Sequence, residues 1–264
     1  MNQFRPSVSM LGWALNEEQN LEAYVEKAEA FLRLVSDDFE LVLINDGSTD
    51  RTWEIACELQ RTRPWFRPVA NDRNRGVGYN YAHAIKQARK DYFLVQTLDW
   101  SYDLTEFARC FDLLQQYDIL QGIRPGGVSL AAFGRRSDNR RKAFVSFSNY
   151  LLIRVLFRLP IGDYQNITVC PTRLAQGLTL EADSSFVNPE VVIKSWWQGA
   201  SIYEVPVPFL KRERGTATGT RWRSIARSVR DVLGCWFSWV VLGRYPNRRG
   251  GTVVRLTDRS PASP

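Results

Sequence analysis

The chain has 264 residues, of which 44% are hydrophobic and 24% charged, enough for one large α/β domain or two small ones. Its net charge of +7 is uneven: residues 1–130 carry 14 Lys and Arg against 19 Asp and Glu, and residues 131–264 carry 21 against 9. One histidine excludes a His-rich metal site, and His83, read as a packed residue of an apolar-periodic helix, offers no Ser-His-Asp triad; four scattered cysteines (Cys57, Cys110, Cys170, Cys235) show no redox spacing and suit a reduced compartment.

Met1–Pro6 contains no apolar core, so no signal peptide is expected. Ser7–Leu15 reads as a strand, and Asn16-Glu17-Glu18-Gln19-Asn20-Leu21 as a helix start with acids in its first turn. Leu41-Val42-Leu43-Ile44 is a buried strand that runs into Asn45-Asp46-Gly47-Ser48-Thr49-Asp50. Gly47 supplies a permissive backbone, and Ser48, Thr49 and Asp50 offer N-cap chemistry for a helix from Arg51. A strand that ends in an acid and turns at once into a helix puts that acid at the carboxyl edge of a sheet, where α/β proteins bind ligands. Asn74-Arg75-Gly76-Val77-Gly78 is a glycine loop before a helix over Tyr81–Lys90. Asp91–Leu98 is a strand ending in Asp99-Trp100-Ser101-Tyr102-Asp103, and Ile119–Gly122 is another, followed by Arg124.

This alternation argues for a mostly parallel sheet with helices on both faces, and no composition break splits residues 7–215. From Ser137 to Arg158 the pattern changes to an apolar helix edged by arginines: an interfacial helix, or a core helix with solvated arginines. A second such segment, Arg221–Val232, precedes the Trp-rich run Val232–Leu242, which falls short of the roughly 20 residues of a spanning helix. The basic half could meet nucleic acid or an anionic membrane. No nucleic-acid motif accompanies it, its aromatics interleave with Leu, Ile and Val, and two such segments favour lipid. Tyr245–Pro264, rich in Gly, Pro, Arg and Ser, reads as a loose tail.

In order and spacing, Asn16-Glu17-Glu18, Asn45-Asp46-Gly47-Ser48-Thr49-Asp50, Asn74-x-Gly76-x-Gly78 and Asp99-x-Ser101-x-Asp103 resemble the family-2 inverting glycosyltransferases of the GT-A fold. The dolichyl- or polyprenyl-phosphate branch is the most similar. The resemblance implies an α/β GT-A (Rossmann-like) domain over 1–218 with an interfacial helix at 137–158, then membrane-surface helices over 219–244 and a flexible tail over 245–264. It implies transfer of a sugar from a GDP- or UDP-sugar to a polyprenyl phosphate, assisted by Mg²⁺ or Mn²⁺, by a peripheral protein at the cytoplasmic face of a membrane. A separate membrane-spanning partner protein is left open. A glycan or small-molecule hydroxyl as acceptor, and a catalytically impaired surface-binding protein of the same fold, are the alternatives.

The family's Asp-x-Asp metal motif is altered here to Asp99, Ser101 and Asp103. In an extended segment the three share one side, so Asp99 and Asp103 could hold one ion with Ser101 between them. Alternatively, Asp103 caps a helix beginning at Leu104. The resemblance puts Trp13, Leu15, Glu17, Ile44, Asp46, Trp100, Ser101, Arg124, Arg212 and Thr218 on the nucleotide sugar, with Thr218 standing where the family has Lys. It implies Arg124 and Arg141 at the acceptor phosphate, and names Asp99, Arg124 and Asp163 as the catalytic set. Asp163 and Glu190 match family acids and could equally be caps or arginine partners.

Overall fold

A computed structural model describes residues 4–100, 102–125, 140–208, 222–245 and 248–255, the side chains of 140–143 excepted. Eight strands form one sheet: β1 (Val8–Ala14), β2 (Phe39–Asn45), β3 (Phe66–Ala70), β4 (Tyr92–Val95), β5 (Ile119–Ile123), β6 (Thr168–Pro171), β7 (Ile202–Pro206) and β8 (Val253–Arg255). Their order is β3-β2-β1-β4-β6-β5-β7-β8. Every pairing is parallel except those of β6, which runs against both β4 and β5. The expected mostly parallel α/β sheet is therefore present. Because β6 is reversed, its entry segment, residues 161–167, lies at the same edge as the carboxyl ends of β4 and β5.

The helices are α1 (Leu21–Val35), α2 (Thr52–Thr62), α3 (Val77–Gln87), α4 (Thr105–Ala108), α5 (Arg140–Phe157), α6 (Thr172–Gln176), α7 (Val187–Trp197) and α8 (Trp222–Trp236). They cover both faces. Alternate residues of a strand point to opposite sides, so β2 sends Leu41 and Leu43 into one core with Tyr24, Val25 and Phe31 of α1. The same strand sends Val42 and Ile44 into a second core with Tyr81 and Ile85 of α3, Ile153 of α5 and Val192 of α7.

Two expectations change. The carboxyl end of β4 is not extended through Asp103: Trp100 donates its backbone N–H to Thr97 O at 2.9 Å and has φ +48°. This turn interrupts the extended segment that would have carried Asp99 and Asp103 on one side. Residues 253–255, read as part of a loose tail, form β8 beside β7. There Arg255 Nε donates to the buried Glu204 at 2.7 Å and its Nη2 to Pro160 O at 2.9 Å. Among the described residues no helix is long and apolar enough to cross a membrane.

Candidate active site

The carboxyl edge of the parallel strands gathers the sequence motifs. The loop after β1 and the loop after β2 are laced together by side chains. Asn16, at φ +56°, accepts the Thr49 N–H on Oδ1 at 2.8 Å, and its own N–H donates to Ser48 Oγ at 3.0 Å. Glu17 N–H donates to Thr52 Oγ1 at 2.9 Å, and Glu18 accepts the Arg51 N–H at 3.1 Å. The Ser-Thr-Asp run was read as helix-capping. Asp50 does accept the Thr52 N–H at 3.0 Å, and the motif's larger task is to bind the Asn-Glu-Glu loop.

Asp46, buried at the end of β2, organises the glycine loop. Oδ1 accepts Arg75 N–H at 2.7 Å and the Asn71 amide at 2.9 Å, and Oδ2 accepts Gly76 N–H at 3.1 Å. Gly47 has φ +73°, and a Cβ there would stand 2.6 Å from the Arg73 carbonyl carbon. The two loops can meet this closely only because residue 47 is glycine. Asn71 is held in turn: its Oδ1 lies 3.1 Å from His83 Nδ1, and Gln87 Nε2 lies 3.3 Å from His83 Nε2. A neutral, Nδ1-protonated imidazole satisfies both contacts. Burial, and secondarily Lys86, holds the His83 pKa below its ordinary value.

The remaining residues singled out in the sequence scatter more widely. Trp13 packs against Tyr81 with ring centroids 6.0 Å apart, and Leu15 is exposed at the edge. Glu17 accepts the Asn20 amide at 2.7 Å. Ile44 is wholly buried in the core, so its side chain presents nothing to a nucleotide. Trp100 turns inward against Tyr24, with ring centroids 6.0 Å apart. Asp99 is half-buried and accepts the Thr97 hydroxyl at 2.5 Å. Asp103 accepts the Thr105 N–H at 3.0 Å, at the start of α4. Ser101, Arg212, Thr218 and the Arg141 side chain lie outside the described residues.

Across the sheet, Arg124 follows β5 and places Nε 2.9 Å from Oδ2 of Asp163. Asp163 is buried, and its Oδ1 accepts the Gln165 N–H at 3.0 Å. The arginine contact is a charge pairing rather than an aligned hydrogen bond. Burial pushes the Asp163 carboxyl above its usual range, and Arg124 pulls it part of the way back. Glu190 belongs to a different cluster. It accepts the N–H groups of Glu181 and Ala182 at 2.9 Å each, and the buried Lys194 at 2.6 Å. Lys194 also faces the Trp239 ring at 4.1 Å. That geometry ties α7 to the C-terminal segment and leaves Glu190 no route to a substrate.

A model of the glycosyl transferase family 2 domain matches residues 13–170, from the end of β1 into β6. The chain belongs to glycosyl transferase family 2. Over 212 residues it is 24% identical to a dolichol-phosphate mannosyltransferase of Pyrococcus furiosus, covering 79% of this chain and 58% of that one. It spans between 26% and 60% of the lengths of four curated relatives. Among solved structures, the fold is similar to mannosyltransferase PcManGT of Pyrobaculum calidifontis in complex with GDP-Man and Mn²⁺, with TM-score 0.59, 15% identity and 90% and 65% coverage. It is also similar to glucosyl-3-phosphoglycerate synthase of Mycobacterium tuberculosis with Mn²⁺, UDP and glucosyl-3-phosphoglycerate, with TM-score 0.57, 15% identity and 88% and 79% coverage.

In this member of glycosyl transferase family 2, several residues that build the edge carried little local signal. Asn71 and Asn80 join Asp46, with the Asn71 amide donating to Asn80 Oδ1 at 2.7 Å. Glu204 of β7 receives the Gly162 N–H and so fixes the segment leading to Asp163. Both arrangements depend on partners far apart in sequence. Their only local hint was a polar residue placed where a strand or helix should be apolar.

Proposed function

We propose that this glycosyltransferase moves one sugar from a GDP- or UDP-sugar to a polyprenyl phosphate at a membrane surface, with inversion at the anomeric carbon. The observation that carries the lipid acceptor is a pair of exposed apolar rows on α5 and α8, two helices that pack against each other. Phe144, Leu151 and Val155 are exposed on α5; Trp222, Val229 and Leu233 on α8, and Phe237 follows directly. Helical spacing puts each set on one face. Exposed Arg223, Arg227 and Arg230 flank the α8 row, the pattern of a helix lying in an anionic interface. The dolichol-phosphate relative supports the same acceptor class. The reaction would run at the cytoplasmic face, where the four unpaired cysteines stay reduced.

Donor and metal are supported by the GDP-Man, UDP and Mn²⁺ of the structural neighbours. Asp99, half-buried in the turn after β4, stands where the family motif has its first metal carboxylate. Mg²⁺ or Mn²⁺ can be held by one or two carboxylates and completed by substrate phosphates, and no group of three His, Cys, Asp or Glu side chains gathers among the described residues. Bound there, the ion would neutralise charge on the departing diphosphate.

The chain's own groups would position and stabilise. Asp46 and the laced loops shape the donor side, and Arg124, held by Asp163, faces the phosphates; Arg141 would join it at the acceptor. A phosphate monoester is ionised near neutral pH, its second pKa being about 6. Its oxygen can therefore attack the anomeric carbon without a general base, as the bond to the donor phosphate breaks and the nucleoside diphosphate leaves. Asp163 then serves to orient Arg124. Incubation with a panel of radiolabelled nucleotide sugars and polyprenyl phosphate in vesicles tests this reading. Label extracted into lipid supports it, and label only in water-soluble products overturns it.

A further inference from the structure

We propose that Asp231 of α8 is a positioning residue for the donor-side loop Gly76–Gly78, acting through the backbone of Ala182 and Asp183. This rests on the assignment of that loop to the donor side.

The loop is held at two ends. At one, Asp46 accepts the N–H of Gly76 at 3.1 Å. At the other, Gly78 N–H donates to Asp183 O at 3.3 Å, and the two backbones are so close that a Cβ on residue 78 would stand 2.4 Å from Ala182 O. The position of Asp183 therefore sets the position of Gly78. Asp183 is exposed, so its own side chain does not anchor it. Its N–H donates instead to Asp231 Oδ2 at 3.1 Å. The Asp231 side chain is only 8% exposed, and its other oxygen lies 3.3 Å from Arg230.

The result is a strut from α8 through Asp183 to the start of α3. It crosses more than a hundred residues of sequence and begins outside residues 13–170, the span that carries the family match. The segment is fixed upstream by Glu190, which takes the N–H groups of Glu181 and Ala182. Downstream, Ser184 accepts the Val187 N–H at 3.1 Å, and between these two anchors Asp231 takes the N–H of Asp183 itself. A second handle from the same C-terminal segment reaches the same place: Trp239 Nε1 donates to Glu181 at 2.8 Å. A backbone N–H that loses a buried carboxylate acceptor frees the carbonyl of its own residue to shift, and the loop that donates to that carbonyl shifts with it.

Amide hydrogen exchange on the full chain tests the strut in the wild type, Asp231→Ala and Asp231→Asn. In Asp231→Ala, peptides covering residues 76–82 and 181–184 should exchange at least fivefold faster, with the peptide over residues 38–43 unchanged. Asp231→Asn should match the wild type, because its amide oxygen still accepts the Asp183 N–H. With GDP-mannose and UDP-glucose as donors, Asp231→Ala should raise the donor KM at least fivefold with kcat within twofold, and Asp231→Asn should restore it. Equal exchange at 76–82 in the wild type and Asp231→Ala would overturn the proposal. So would a rise that extends equally to 38–43, which marks a merely structural residue. If the wild type uses neither donor, the functional reading is in question while the exchange result still decides the strut.

Discussion

Asp46 receives the backbone N–H of Gly76 at 3.1 Å, so the acid that ends β2 is bound to the loop that opens α3. With the Arg75 N–H and the Asn71 amide, the carboxylate satisfies three donors at once. Asp46→Asn presents an NH₂ where an acceptor is needed, and Asp46→Ala leaves the Arg75 and Gly76 N–H groups unpaired, while the Asn71 amide keeps only its bond to Asn80. A buried donor without a partner costs roughly 1–3 kcal/mol. Both variants should therefore raise the donor KM at least tenfold. Steady-state kinetics with the donor varied would check this, and an unchanged KM in both would count against the loop's role.

Gly47→Ala should destabilise the whole protein rather than only weaken binding. The residue has φ +73°, and the new Cβ would fall 2.6 Å from the Arg73 backbone. Left-handed backbone alone costs about 1–2 kcal/mol for a residue with a Cβ. The overlap with fixed backbone adds to it. Urea unfolding should show a midpoint lowered without a change in slope.

Asp99 and Asp103 should part company. Asp103 accepts the Thr105 N–H, as a capping residue does, and the turn at Thr97–Trp100 removes the alignment that would have paired it with Asp99. Asparagine caps about as well as aspartate. Asp103→Asn should keep activity within about twofold on that ground, whereas Asp99→Ala should lose on the order of a hundredfold or more, as when charge stabilisation of a transition state is removed. Initial rates over a Mn²⁺ titration separate the two.

Asp163 links activity and stability to pH with opposite signs. Burial raises its carboxyl pKa, only partly offset by Arg124. A group whose folded pKa exceeds its unfolded value stabilises the fold below the unfolded value, about 3.9, and that contribution is lost as pH rises through the folded pKa. The ionised form is the one that holds Arg124. Activity should therefore rise over the window in which this contribution to stability falls. Asp163→Asn should flatten the acidic limb of the rate profile at reduced kcat and diminish the matching slope in unfolding midpoints, both measured from pH 4 upward.

The sheet's first half was legible because its strands are apolar runs that end in short, chemically specific turns. Asn45–Asp50 announced a strand, an acid and a helix within ten residues, and these occur as read. The unbroken apolar run Leu41–Ile44 likewise foretold a buried strand, and β2 packs into a core on each face. The turn at Thr97–Trp100 was not legible, since an Asp-x-Ser-x-Asp run fits an extended segment and a turn equally. The left-handed Trp100 is held by packing against Tyr24, which lies far away in sequence. β8 was hidden for a similar reason. Val253 and Val254 sit in a Gly- and Arg-rich stretch, and only the pairing with β7 and the Arg255–Glu204 contact makes them a strand. Glu190 matched a family acid, yet Lys194 one helical turn on consumes it, a pairing visible in the spacing only after burial is known.

Metal-assisted transfer to a lipid phosphate is decided by the passage of radiolabel from GDP-mannose and from UDP-glucose to polyprenyl phosphate in anionic vesicles with Mn²⁺, run on the wild type beside Asp99→Ala. The wild type should put label in the lipid extract from at least one donor, and Asp99→Ala should lose nearly all of it. No lipid-extractable label from either donor, or equal label from both proteins, would contradict metal-assisted transfer.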